Sequence, residues 1–336
     1  MNISDAIALH QAGRIGEAEP LYRRFLEIEP NNAEVLHLLG LVHYQTGRLD
    51  EAVTLIETAI ALKPQVAGYH ANLGRVLADS GQHEAAANAY EAAAQIEPQM
   101  AEAFANRGVA LEALKRHGEA EKSYRHALTL TPDDPDLLFN LGNALWAQSQ
   151  FPEAMAQFEQ VMRIAPTHLE ARTNLGLVLT AIGNLDDAIV VYDEALVLQP
   201  DDVELNVNRG IVLTRLRRLG EAIAAFEKVL TIAPDHGRAH FNLGLAYKYE
   251  YAFAEAQRHF EISLNLDPGH ALAMIELGGC LQRANKVDEA YAYYGQAYRI
   301  DNSNFNGIVK KMTSIQHGRF STNFSKVRQM LETAAD

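Results

Sequence analysis

The sequence predicts an all-α solenoid, a chain of copies of one helix-turn-helix unit, and three columns of residues carry that prediction. Eight prolines, Pro30, Pro64, Pro98, Pro132, Pro166, Pro200, Pro234 and Pro268, stand 34 residues apart without a slip. Nine alanines (Ala18, Ala52, Ala86, Ala120, Ala154, Ala188, Ala222, Ala256, Ala290) and eight glycines (Gly40, Gly74, Gly108, Gly142, Gly176, Gly210, Gly244, Gly278) keep the same spacing. A helical hairpin of this length cannot bury its apolar face alone, so copies stack and each meets only its neighbours. Such stacks usually hold another polypeptide, which gives a function class without naming a partner.

Residues 169–202 show how one unit is built, with positions numbered 1 to 34 so that Gly176 is position 8 and Pro200 position 32. Leu175 and Leu179 flank the glycine at helical spacing and define helix A, which stops at the Gly183-Asn184 break. Ala188, Tyr192, Ala195 and Leu198 form the i, i+4, i+7 stripe of helix B, and Pro200 cannot continue it. Small residues at positions 8 and 20 let the two helices approach closely. An aromatic at position 24 fills the core: Tyr22, Tyr90, Tyr124, Phe158, Tyr192, Phe226, Phe260 and Tyr294, with Ile56 as the exception.

Leu-Gly at positions 7 and 8, Ala at 20, Tyr or Phe at 24, Ala at 27 and Pro at 32 together resemble the tetratricopeptide repeat, over roughly residues 4–302. Arg107 and Arg209 depart from the pattern at position 7, and no copy has tryptophan at position 4. Full repeats are expected from residue 33 onward, at 33–66, 67–100, 101–134, 135–168, 169–202, 203–236, 237–270 and 271–304. A shortened repeat at 4–32 precedes them, with Ser4 as its N-cap. The resemblance implies a right-handed superhelix over residues 1–304. Beyond 304, Lys311-Met312 stand where Leu-Gly should be. Residues 305–316 and 323–333 read as amphipathic helices carrying Lys310, Lys311, Lys326 and Arg328, a polar cap (305–336) over the last apolar face.

Positions 2, 5, 6, 9, 12 and 13 of helix A point away from its core stripe, and in tetratricopeptide arrays that side lines the concave groove. Position 6 reads Asn72, Asn106, Asn140, Asn174, Asn208 and Asn242, between Leu38 and Glu276. Asparagine is a poor mid-helix residue, disfavoured by about 0.5 kcal/mol against alanine. Six in phase beside diversified neighbours suggest either amides that pair with the backbone of an extended peptide or a structural hydrogen-bond ladder between repeats. The row resembles the asparagine-lined superhelix of O-linked N-acetylglucosamine transferases and related bacterial tetratricopeptide proteins, without their catalytic region. Phe139, Asn143, Trp146, Leu177, Phe241 and Arg75 complete the candidate peptide-binding set, Trp146 being the sole tryptophan. Glu34, Glu102, Asp136, Glu170 and Glu204 add an acidic line at position 2. Positions 5, 6 and 9 carry no lysine or arginine besides Arg75, so the arrangement of the chaperone-tail-binding tetratricopeptide clamps is absent and a C-terminal carboxylate is not expected as the ligand.

With 29 Lys+Arg against 43 Asp+Glu, the net charge is −14, which disfavours nucleic acid and anionic membranes and favours a neutral or basic protein or peptide partner. The 48% hydrophobic content suffices for a continuous core. No 18-residue apolar stretch predicts membrane insertion. The N-terminal residues lack a signal-peptide pattern. The single cysteine, Cys280, reads as a small packed residue. A cytoplasmic location is the resulting expectation. The 13 histidines scatter without metal or catalytic spacing, His236 and His240 reading as solvated or capping. The sequence therefore reads as a non-enzymatic protein-protein interaction scaffold with no implied cofactor. The alternatives are a substrate-recruiting arm of a glycosyltransferase or other enzyme, and a self-assembling scaffold whose short first repeat docks onto another copy.

Overall fold

The computed structural model describes residues 3–314 and 324–333, and the chain divides into two compact units, Met1–Ala171 and Arg172–Asp336. The first unit contains α1 (Ile3–Gln11), α2 (Ile15–Ile28), α3 (Ala33–Gln45), α4 (Leu49–Leu62), α5 (Ala67–Asp79), α6 (His83–Ile96), α7 (Ala101–Ala113), α8 (His117–Leu130), α9 (Pro135–Ala147) and α10 (Phe151–Ile164). The unit boundary falls in the first turn of α11 (Leu169–Ile182). The second unit continues with α12 (Leu185–Leu198), α13 (Val203–Arg215), α14 (Leu219–Ile232), α15 (Gly237–Tyr249), α16 (Phe253–Leu266), α17 (Ala271–Arg283) and α18 (Val287–Ile300). A 3₁₀ turn (Asn302–Asn304), α19 (Phe305–Ser314) and α20 (Phe324–Thr333) follow. Odd-numbered helices are helix A and even-numbered ones helix B through α18, and no strand occurs among the described residues.

Within each unit every helix packs on the next in sequence, from α1 to α10 and from α12 to α18. Consecutive A helices also touch directly, α3 with α5, α5 with α7, α7 with α9, and α13 with α15, so the A helices form a layer.

The glycine column at position 8 and the aromatic column at position 24 are two halves of one contact. A Cβ on Gly108 would lie 2.4 Å from Tyr124, one on Gly142 2.6 Å from Phe158, and one on Gly210 2.6 Å from Phe226. Gly40 meets Ile56 in the same way, which accounts for the aliphatic exception. The position-24 rings are buried, and each such ring contributes on the order of 2–3 kcal/mol of burial. Arg107 and Arg209, which replace leucine at position 7, turn to an acidic residue of the preceding repeat: Arg107 lies 3.5 Å from Glu91, and Arg209 pairs with Asp193. The buried Ser123 hydroxyl also accepts from Arg107 at 2.7 Å.

Each A-to-B turn places position 15 in the left-handed region. Gly47 and Gly183 do so without strain, at φ 78° and 84°, but Lys115, Ser149, Arg217, Tyr251 and Asn285 adopt φ of 60–64° at the same place. The B-to-A turns leave the helix at the residue before proline, as at Lys63 with φ −136° and ψ 76°. Asn32, Asp134 and Asp202 cap the following A helices through their side-chain oxygens. Ser4 does not act as the predicted N-cap, because α1 already begins at Ile3.

At the C-terminal end, Phe305, Ile308 and Met312 of α19 and Val327 and Leu331 of α20 are buried in one cluster with Leu277, Leu281 and Tyr294. Residues 315, 316 and 323 of the expected helices lie outside the described residues, as does the HGRFST break. No helix among the described residues is long and apolar enough to cross a membrane.

Candidate peptide-binding face

Positions 3, 7, 8, 10 and 11 of helix A face the core, shown by Ala103, Ala110 and Leu111 in α7 and by Leu205, Val212 and Leu213 in α13, all buried. The asparagines of position 6 lie at the edge of that stripe, each half-buried. Their amides find different partners. Asn72 bonds through Nδ2 to His37 Nε2 at 2.9 Å, and its Oδ1 accepts from Arg75 at 2.9 Å. Asn242 donates to the Arg238 carbonyl one turn back at 2.8 Å, and Asn208 receives a long 3.4 Å contact from Arg238. Among the described residues the Asn106 and Asn140 side chains have no hydrogen-bond partner. Asn72, Asn106, Asn140, Asn208 and Asn242 make no bonds to one another, and only Asn72 and Asn208 of these five reach a neighbouring repeat, at His37 and Arg238.

The remaining candidates divide between surface and joint. Phe139 is half-buried, its ring 6.0 Å from Phe158 and 4.9 Å from His168, so it wedges where helix B and the next turn meet. Phe241 repeats that arrangement against Phe260 and His270. Trp146 packs on Phe151 of its own repeat at 5.2 Å, and it has no ring contact with Phe139. Arg75 is exposed over the Tyr44 ring, Asn143 and Leu177 are half-buried, and Val109, not among the candidates, is 52% exposed.

In the first unit two clefts follow this row. One of about 210 Å³ is lined by Asn72, Arg75, Glu102 and Asn106, and one of about 410 Å³ by Glu102, Asn106, Val109, Asp136 and Asn140. Both offer amides with an acidic margin. In the second unit a cleft of about 480 Å³ is lined by Ile211, Thr214, Asn242, Leu245 and Tyr249.

Two histidine environments were not legible in the sequence. His37, at position 5, is stacked on Tyr69 at 4.4 Å, and burial followed by the Arg75 charge lowers its pKa to about 4. His240 is buried rather than solvated, because its ring bridges the Pro234 carbonyl at 2.9 Å and His259 at 3.0 Å. His259 is lowered to about 4 by burial and then by His240. His236 caps α15 as expected, its Nδ1 accepting from Ala239. Cys280 is buried, and burial pushes its thiol up to about 11, which fits a packed and unreactive residue. No group of three or more potential metal ligands occurs among the described residues.

Family models described as tetratricopeptide repeat match residues 9–75 and, with a second model, residues 72–135, 139–203, 183–236, 207–247 and 252–305. The chain belongs to the tetratricopeptide-repeat family. Its fold is similar to that of the C-terminal part of a tetratricopeptide-repeat-containing protein from Cytophaga hutchinsonii, with a TM-score of 0.63 at 18% identity, covering 72% of this chain and 99% of that one. A tetratricopeptide-repeat protein from Parabacteroides merdae is similar at TM-score 0.54 and 18% identity, over 73% and 97% of the two chains. YrrB, described as a tetratricopeptide-repeat protein with an unusual peptide-binding site, is similar at TM-score 0.50 and 23% identity, over 55% and 95%. No curated protein matches the chain.

Proposed function

We propose that this tetratricopeptide-repeat protein is a non-enzymatic scaffold that binds an extended or partly helical polypeptide along its A-helix layer. The observation that carries this reading is the in-phase asparagine row, in which Asn106 and Asn140 present amides with no intramolecular partner beside open clefts. Such amides can bond a partner's backbone through both N–H and C=O, independently of its side chains. The half-buried Phe139, Trp146 and Phe241 supply apolar edges, and the acidic margin of Glu102 and Asp136 favours a neutral or basic segment in the first unit. The peptide-binding site in the description of YrrB is compatible with this use of the fold. We read residues 1–304 as the repeat array and 305–336 as its cap, supported by the burial of α19 and α20 side chains against the last repeat. A single buried cysteine is compatible with a reducing compartment such as the cytoplasm.

Replacing Asn106 and Asn140 together with alanine tests the reading. Peptides selected on the wild-type chain from a random display library should bind the double variant about tenfold more weakly, while its melting temperature stays level or rises, since alanine is the better helix former. Unchanged affinity would remove the asparagines from the binding face.

A further inference from the structure

The face that carries the asparagine row in the second unit ends in a pocket of opposite character. Glu276 stands at position 6 of α17, where asparagine stood in the preceding repeats. Around it lies a cavity of about 570 Å³ whose wall includes five cations, Arg217, Lys248, Arg283, Lys310 and Lys311, against that single carboxylate. Lys248 and Lys311 both reach the same Glu276 oxygen, at 2.8 and 2.5 Å. Burial pushes the Glu276 carboxyl up, but the two ammonium groups outweigh it and hold the group below its usual range.

The other three cations are exposed, and two are set in place by aromatic rings. Arg217 lies over Tyr249 at 4.1 Å and Arg283 over Phe253 at 4.7 Å. A ring beneath a guanidinium attracts its charge without occupying its N–H donors, and it limits the entropy lost when a carboxylate binds. Apolar surface adjoins them, with Tyr251 79% and Leu272 52% exposed on the wall. Tyr251 holds its ring there from a left-handed backbone at φ 64°.

We infer that this pocket receives Asp or Glu side chains from an acidic, aromatic-containing stretch of the bound polypeptide. Charge complementarity sets the sign, since five cations gather in a chain whose net charge is −14. Continuity sets the class of ligand. Arg217 and Tyr249 belong to both this pocket and the neighbouring cleft lined by Asn242 and Leu245, so a segment lying on the asparagines runs directly into the cations. The inference rests on the scaffold reading for that path and adds a partner chemistry to it.

The test uses the full chain and fluorescent peptides acetylated and amidated at their ends, so that only side chains bear charge. One carries Asp and Glu interleaved with Phe, and a second carries Lys at each acidic place. The acidic peptide should bind more tightly than the basic one, weaken as salt rises, and lose about tenfold in affinity on Arg283→Glu with Lys310→Glu. Both substituted residues are exposed and neither is paired with Glu276, and circular dichroism of the variant should match the wild type. A Kd for the acidic peptide weaker than about 1 mM, equal affinity for the basic peptide, or unchanged affinity in the folded double variant would overturn the inference. Tighter capture of a single-stranded oligonucleotide than of the acidic peptide would overturn it as well. The two readings fail separately. Loss on Asn208→Ala with Asn242→Ala but not on the charge reversal leaves the scaffold reading and removes the acidic pocket. The reverse pattern keeps the pocket and removes the asparagine row.

Discussion

In the first unit, position 13 of successive A helices reads Gln45, Asp79, Ala113 and Ala147. In the second it reads Ala181, Arg215, Tyr249 and Arg283. Position 12 changes likewise, from Tyr44, Ala78, Glu112 and Trp146 to Thr180, Thr214, Lys248 and Gln282. The columns that build the core change far less: glycine under a position-24 side chain, aromatic everywhere except Ile56, and a buried alanine at position 20 recur in both units. Along the asparagine row, the two clefts of the first unit are lined mainly by amides and carboxylates, with Arg75 in one of them, whereas the cavity around Glu276 in the second is lined by cations and aromatic rings. The difference shows that a repeat fold separates its duties by column. Residues that touch the neighbouring helix are held by packing, while residues one or two positions away are free to take on charge.

Three measurements set the two units against each other. The largest effect is expected where the units should behave alike. Gly108→Ala in the first unit and Gly210→Ala in the second each drive a methyl to within 2.6 Å of a buried ring. Each should lower stability by about 2 kcal/mol net, because overpacking outweighs the roughly 1 kcal/mol gained in helix propensity. Urea titration of the two variants would reveal it, and a clear loss in only one would show that the cores are not equivalent.

A smaller effect concerns two histidines whose pKa values are lowered by burial, one taken from each unit. His37 and His259 both have folded pKa values lowered to about 4, below the value near 6.5 of an unfolded chain. The unfolded state then binds the proton first, so their contribution is full above about pH 6.5 and is lost as pH falls toward 4. Each should contribute on the order of 1 kcal/mol over that range, the more accessible His259 less than His37. Denaturation curves from pH 7.5 to about 5 should slope less steeply for His37→Gln than for His259→Gln, each measured against the wild type. Equal slopes in all three proteins would remove both histidines from the pH dependence.

The smallest effect tests the turns. Lys115→Gly should stabilise the chain by about 0.5 kcal/mol by relieving its left-handed backbone. Asn285→Gly should gain less, since asparagine tolerates that region better. A loss of melting temperature in Lys115→Gly would mean that the lysine side chain, not the turn, matters there.

The helix pairs, the buried aromatics and the asparagine column were legible in the primary structure. A 34-residue period repeats each local environment, so weak preferences at one position reinforce one another across the copies. The candidate face was legible only in part. Phe139 and Phe241 share position 5 with the half-buried Ala71 and Ala105, and their identity as joint-filling rings depends on what the next turn presents, namely His168 and His270. The cationic pocket does not show in positions 5, 6 and 9, because Arg217, Lys248 and Arg283 come from positions 15, 12 and 13. Lys248 and Arg283 stand at outward positions 12 and 13, where their charge is visible in the sequence, whereas the lysines of α19 lie outside the repeat columns.

The sequence by itself determined that this protein is an array of helical hairpins with a polar face on its A helices, because periodicity acts through local helix geometry and nearest-neighbour packing. Only the tertiary structure decided which amides stay unpaired and which charges converge. Arg217, Glu276 and Lys311 lie as much as 94 residues apart and belong to different columns, and no spacing rule joins them. They meet because successive hairpins stack at a fixed offset and α19 closes over α17, so the side chains that end near one another are set by that offset and not by their order along the chain.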